Sequence, residues 1–403
     1  MSADIPNKVI DQRQLFLQHV AQTSPAPIGL EPERAEGMYI YTKDERRYMD
    51  LIAGISVSNV GHCHPKIVAA VQEQAAKYMH LMVYGEYIQS PQVLFAQALT
   101  KLLPSSLNTV YFVNSGSEAN EGALKLAKRA TGRTEIISFV NAYHGSSHGA
   151  LSVIGDESFR NSFRPLLPDV RHLRFNSFDD LQQITNRTAC VLIEPIQGEA
   201  GVRVPQNNFL QALQNRCKEV GALLIFDEVQ TGFGRTGEWF ASLRYGVTPD
   251  ITTFAKGMGG GMPIGAFVAS QELMTVLQTN PILGHITTFG GHPVSCAAAL
   301  ASLNVLQNEN LIAKVEEKSA LFKQLLKHKL IKEIRGEGLL LAVELGDAAL
   351  VQKVIASILQ KGIIVDWFLF CDTALRIAPP LIISPSEIRE ACGTILNALT
   401  ENS

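Results

Sequence analysis

Between about residues 105 and 270, short apolar runs rich in β-formers alternate with longer stretches whose apolar positions recur at helical spacing. The runs are Thr109 to Val113, Glu135 to Phe139, Cys190 to Ile193, Leu223 to Phe226 and Ile251 to Phe254. That alternation predicts βαβ units and a mostly parallel sheet covered by helices on both faces. Each run gives way to polar or small residues: Asn114-Ser115-Gly116, Tyr143-His144-Gly145, Glu194-Pro195, Asp227-Glu228 and Lys256-Gly257. Ligands of open parallel sheets bind beyond the carboxyl ends of the strands, so these five elements are expected to face one crevice. After about residue 295 the pattern becomes one long helix, then apolar runs LLLAVEL, GIIVDWF and LRIAPPLII, which predict a smaller α+β domain. The expected partition is an N-terminal segment, 1–57, packing on that domain, a large α/β domain over 58–294, and the small domain over 295–403.

The chain has 403 residues, 46% of them hydrophobic, enough for a large core. A formal net charge of −3 gives no footprint for nucleic acid or an anionic membrane, and small-molecule partners are expected instead. The first residues, MSADIPNKVIDQRQ, lack the apolar centre of a signal peptide, and no run of about 18 apolar residues occurs. Six cysteines without CxxC spacing suit reduced thiols. A soluble, cytoplasmic protein is the expectation. The neighbouring His62, Cys63 and His64 cannot easily converge on one ion, so no metal site is expected.

In Val113 to Gly132, apolar or small residues at 119, 122, 123, 126, 127 and 130 mark one helix face. Ser115, Gly116 and Ser117 then fall at the helix start, where amides and the dipole favour an anion. An ordinary N-cap with a tight turn is the alternative. Asp227, after a four-residue apolar run, needs a cation or strong donor if buried, and capping a helix or pairing an arginine is the commoner fate. Lys256 stands in TTFAKGMGGGMPIGA with no charged neighbour, about one βαβ repeat beyond Asp227. An amine, a fixed carboxylate and a phosphate cradle together match pyridoxal 5′-phosphate: the lysine forms a Schiff base, the acid holds the ring nitrogen, and the helix start holds the phosphate. A nucleotide reading of Gly257 to Gly261 lacks the acidic residue about 20 positions on.

At this point the chain resembles the class III, or ω-amino acid, aminotransferases of pyridoxal-phosphate fold type I. The resemblance runs from GHCHP (Gly61 to Pro65) through NSGSEANEGALKLA, AYHG, EPIQGEAGV, IFDEVQTGFGRTG, TTFAKGMGGGMPIGA and TTFGGHP to LRIAPP. It implies that Lys256 is the Schiff-base lysine and proton shuttle, that Asp227 pairs the pyridine nitrogen, and that Gln230 meets the phenolic oxygen. It also implies that Val229 and Tyr143 flank the ring and that Gly116 and Ser117 hold the phosphate. Thr288 would join them from the second subunit of a homodimer. Glu199 and Arg376 resemble a gating pair that frees the arginine for the α-carboxylate of glutamate; a structural ion pair is the alternative for Arg376. Glu194 would orient its neighbours, and His144 is either structural or catalytic.

The chain departs from the family at several positions. His144-Gly145-Ser146-Ser147 replaces HGRT and its substrate-binding arginine, the position near Pro25 lacks a tyrosine, and His292 replaces the asparagine of GGNP. Ile55 is shared with acetylornithine and 4-aminobutyrate enzymes. The resemblance therefore implies transfer of an ω-amino group, from N-acetylornithine or a related acylated ornithine, to 2-oxoglutarate, giving an aldehyde and glutamate. Ornithine, 4-aminobutyrate or diaminopelargonate transamination, an aminomutase, racemase or decarboxylase, and a non-enzymatic binding module are the rival readings.

Overall fold

The computed structural model describes residues 11–403, so residues 1–10 of the expected N-terminal segment lie outside the described residues. A seven-stranded sheet forms the centre, in the order Thr109–Val113, Gly265–Ala269, Ile251–Phe254, Leu223–Asp227, Thr188–Ile193, Glu135–Phe139 and Val170–Leu173. Only Gly265–Ala269 runs against the others. Five of the seven begin or end within two residues of the apolar runs read from the sequence. Val170–Leu173 is an edge strand, VRHL, with two polar side chains in four. Gly265–Ala269, GAFVA, has three small residues in five and follows a glycine-rich loop, so neither carries a strong periodic signal.

Alternation along the strands divides the core between the two faces. Ile137, Phe139, Val191, Ile193, Leu224 and Phe226 pack with Phe209 and Leu213 of the helix Phe209–Val220. Ile136, Cys190, Leu192 and Ile225 face the other way, onto Ala119, Ala123 and Leu126 of the helix Gly116–Thr131. Each fully buried aliphatic or aromatic side chain stabilises by about 1.5–3 kcal/mol before chain entropy is counted. Both sheet faces are therefore closed to water, and the strand ends are left as the accessible edge.

Two smaller sheets flank this layer. Pro32–Glu36, Tyr39–Thr42 and Arg47–Asp50 form an antiparallel ladder that Ile363–Ile364 extends in parallel beside Met49 and Asp50. Glu333–Glu337, Leu340–Glu344, Cys371–Ile377 and Asp366–Phe368 form the other, in that order. In the last pair Asp366 stands directly opposite Arg376. The long helix Pro293–Asn308 packs on Pro65–Lys77 and Ser90–Thr100. Among the described residues no helix is long and apolar enough to cross a membrane.

Candidate active site

A cavity of about 210 Å³ opens at the carboxyl ends of the parallel strands. Residues from all five strand-end elements line it: Ser115 and Gly116, Tyr143 to Gly145, Glu194, Asp227 and Lys256. A larger hollow, about 690 Å³, lies by the helix Gln12–His19, but none of these groups borders it. Chemistry, rather than size, identifies the candidate site.

Asp227 ends its strand 4% exposed, and three donors converge on it. Asn120 Nδ2 lies 2.7 Å and His144 Nδ1 2.8 Å from Oδ2, and the Val229 amide donates to Oδ1 at 3.0 Å. Asn120 also donates to the His144 carbonyl at 2.8 Å and accepts from Thr253 Oγ1 at 2.8 Å. The sequence pattern does not single out Asn120. Its only signal is a polar side chain between the buried positions 119 and 123 of an amphipathic helix.

Lys256 follows the strand Ile251–Phe254 with φ of 49°, a left-handed turn. Burial lowers the pKa of its amine; nearby Glu199 opposes that shift and Arg376 adds to it. A second cavity, about 330 Å³, borders Lys256, Ser115 and Gly116 from the side of Val57 and Ile264. Glu194 receives the amides of Tyr143 and Gly198, each at 2.9 Å, and burial pushes its carboxyl up to about 7.

The helix Gly116–Thr131 starts at Ser115, whose Oγ accepts the Glu118 amide at 3.2 Å. The amides of Gly116 and Ser117 belong to the first turn and have no intrahelical acceptor. Neither Gly116 nor the neighbouring Gly145 has room for a side chain. A Cβ on Gly116 would come within 2.9 Å of Val229 Cγ1, and one on Gly145, where φ is 122°, within 2.0 Å of Ser117 Oγ. Two polar atoms at the cavity, His144 Nε2 and Gln230 Oε1, are buried without a partner.

Gln230 Nε2 donates to Glu199 at 3.2 Å, and Glu199 forms a two-bond ion pair with Arg376, at 2.7 and 2.8 Å. Both charges are buried, 4% and 2% exposed. Burial raises the Glu199 carboxyl, but the Arg376 guanidinium more than offsets this and leaves it below its ordinary value. The Leu369 amide donates to Glu199 Oε2 at 3.1 Å, so the loop Trp367 to Phe370 is tied to the same pair.

Three of the residues expected at the site lie away from the cavity wall. Thr288 is exposed, its hydroxyl 3.4 Å from Tyr84 Oη. Ile55 is half-buried within Ala53–Ser56, where four successive residues have φ of 49–63°. Arg376 reaches the cavity only through Glu199. Ser146, the position that lacks the arginine, is exposed with its hydroxyl 3.1 Å from Tyr143 Oη. His62 contacts Asp50 at 2.9 Å, and His64 caps the helix Pro65–Lys77.

Comparison with known proteins bears on this arrangement. A sequence profile described as aminotransferase class-III matches residues 20–399. The acetylornithine aminotransferase of Methanocaldococcus jannaschii is 41% identical over 380 residues, 91% of each chain. That of Methanopyrus kandleri is 39% identical over 97% of this chain and 99% of its own. Among solved structures, an ornithine aminotransferase from Toxoplasma gondii superposes with a TM-score of 0.90 at 30% identity, covering 98% of this chain and 96% of that one. A thermostable (S)-enantioselective omega-transaminase from Thermomicrobium roseum reaches 0.88 at 30% identity, over 96% and 97%.

Proposed function

The chain belongs to the class III aminotransferase family, whose enzymes work through pyridoxal 5′-phosphate, and on that premise we propose that it moves the terminal amino group of N-acetylornithine or a similarly acylated ornithine to 2-oxoglutarate. The single observation that carries this reading is that Lys256, Asp227 and the first turn at Gly116 and Ser117 line one cavity. The donor set suits the cofactor. Two partnerless buried atoms, His144 Nε2 and Gln230 Oε1, line the same cavity as the first-turn amides of Gly116 and Ser117. When bound, the cofactor supplies an aldehyde for the amine and a ring that draws electrons from the reacting carbon.

The chain's residues would divide the remaining work. Lys256, its amine less basic than an exposed lysine's, would give up its place to the incoming amine and then move the proton at the reacting carbon. Asp227, fixed by Asn120, His144 and the Val229 amide, would hold the ring nitrogen protonated. Ser115, Gly116 and Ser117 would hold the phosphate, Gln230 the phenolic oxygen, and Val229 and Tyr143 the two ring faces. Glu199 would neutralise Arg376 while the donor, whose reacting carbon bears no carboxylate, is present, then yield it to the carboxylate of 2-oxoglutarate, which a guanidinium binds through two parallel bonds.

A homodimer that completes each site from both chains is part of the proposal. Thr288 is exposed, and Ile282, Ile286, Phe289 and Ile88 are exposed apolar side chains, an arrangement that supports burial against a second copy. A second reading, a donor with an uncharged far end, is favoured by Ser146 and by the aromatic Phe370 beside Tyr143, with Phe159 packed edge-on against Phe370. An amine panel with 2-oxoglutarate, scored by glutamate formation, separates the two. N-acetylornithine should lead the panel, and no glutamate from any amine would refute the transaminase reading. Lys256→Ala should lose the visible band near 410–430 nm (roughly where lysine-linked pyridoxal absorbs) while remaining folded.

A further inference from the structure

Arg376 is held by more than Glu199. Its Nε lies 3.0 Å from Asp366 Oδ1, its Nη2 donates to the Trp367 carbonyl at 2.9 Å, and the Phe368 ring lies 4.6 Å below the guanidinium. Neither Nε nor Oδ1 has a directed hydrogen bond, so the two are close but not mutually satisfied. Two carboxylates therefore share one buried cation. They differ in how they are attached. The backbone of Asp366 is held by strand pairing directly opposite Arg376, whereas Glu199 rides on a loop between Gln197 and Arg203.

Resting on the reading that Arg376 receives the acceptor's carboxylate, we infer that Asp366 is a specificity-determining residue that opposes binding of acidic acceptors and makes their binding take up a proton. The charge count gives the reason. With Glu199 on Arg376, two carboxylates face one guanidinium; once an acceptor displaces Glu199, at least three lie in the same poorly solvated region. Like charges that close cannot all remain ionised without a large penalty. The strand backbone holds Asp366 directly opposite Arg376, so protonation, rather than withdrawal of the chain as at Glu199, is how this carboxylate relieves the crowding.

The groups facing Asp366 are consistent with this. Burial pushes its carboxyl up to about 7, Arg376 pulls against that, and Glu199 and Asp50 add to it. Asp50 is itself occupied, with His62 on Oδ2 and the amides of Ile52 and Ala53 on Oδ1. An added carboxylate raises the Asp366 value further in the bound state. Binding is then independent of pH below about 7, where the proton is already present, and weakens as pH rises above it.

Binding of glutarate, an unreactive dicarboxylate, to the holoenzyme at pH 6 and pH 8 tests the inference, by calorimetry in two buffers of different ionisation enthalpy. Wild type should bind about fivefold or more weakly at pH 8 and take up a fraction of a proton approaching one. Asp366→Asn should bind at pH 8 as tightly as wild type does at pH 6, with the pH-dependent uptake gone. The KM for 2-oxoglutarate should follow the same pattern. Persistence of proton uptake in Asp366→Asn, or weaker glutarate binding by it at pH 8, overturns the inference while leaving the role of Arg376 intact. Arg376→Lys is the separate control: unchanged glutarate affinity in that variant overturns the reading of Arg376 and the inference with it. A circular dichroism spectrum matching wild type shows that Asp366→Asn has folded.

Discussion

Replacing Asn120 by alanine isolates the scaffold behind Asp227 without touching any group proposed to meet substrate. Three hydrogen bonds disappear: the one to the Asp227 carboxylate at 2.7 Å, the one to the His144 carbonyl at 2.8 Å, and the one from Thr253 Oγ1 at 2.8 Å. A bond to a charged group is worth about 1.5–3 kcal/mol and a neutral one about 1 kcal/mol, and the loss is greater where the orphaned partner stays buried. Asn120 is 1% exposed, so little water reaches the vacated space. The total is about 3–5 kcal/mol, which for a chain of this size lowers the melting temperature of the cofactor-free protein by roughly 5 °C. Weaker fixation of Asp227 costs the holoenzyme about 1.4–2.8 kcal/mol in the barrier, or 10–100-fold in kcat. Melting is followed on the apo form and glutamate formation on the loaded form, which keeps the two effects apart. Thr253→Val, which removes only the outer bond, should cost about 1 kcal/mol and less than about threefold in kcat. An Asn120→Ala protein that melts within 1 °C and turns over within about twofold of wild type would refute the argument.

Glu199→Gln keeps the shape and removes the charge facing Arg376; the KM for 2-oxoglutarate should fall about tenfold while kcat/KM for an amine donor without a carboxylate on its reacting carbon falls by a similar factor. The ratio of the two constants checks it, and an unchanged ratio speaks against the gate. Gly145→Ala forces a methyl group to within 2.0 Å of Ser117 Oγ at φ of 122°, so cofactor affinity should drop at least about tenfold by equilibrium dialysis, with the apo protein still folded. Glu194, raised to about 7 by burial, binds a proton in the folded state that the unfolded chain has already released between pH 4.5 and 7. Stability therefore falls across that window, by roughly 3 kcal/mol for this one group, and levels off above it. Denaturant midpoints of Glu194→Gln at pH 5 and 7 should differ by less than those of wild type.

The parts of the site that are readable in the sequence are those that lie at the ends of apolar runs. A buried parallel strand must be continuously hydrophobic, so the polar residue that ends it announces both a strand terminus and a crevice. Lys256, Asp227, Glu194, Tyr143 and Ser115 all stand at such ends. Asn120 gives no such signal, because one polar residue on a mostly apolar helix face is common and usually local in purpose. Asp366 is hidden for a different reason: within GIIVDWF it looks like an accident of an apolar run, and only the register opposite Arg376 gives it a partner. Pairing register depends on where turns and bulges fall, and here the ladder shifts between Trp367 and Phe368. The strand Gly265–Ala269 is masked by the small residues at its two ends and the glycine-rich loop before it. The two small sheets share that difficulty, because Ile363–Ile364 joins strands more than 300 residues earlier in the chain.

The turn at Ala53–Ser56 affects any attempt to redirect the enzyme. Four residues in a row occupy a conformation that disfavours a Cβ; the cost of about 1–2 kcal/mol each falls on the three that are not glycine, and Ile55 carries a branched Cβ. A mutant library at position 55 would therefore be scored on two scales at once. Glycine and asparagine would rise in it for relieving the backbone, and larger chains would sink, whatever each does to the choice of amine. Selections at this position need expression-normalised activities, or the winners will be solutions to a folding problem mistaken for solutions to a recognition problem.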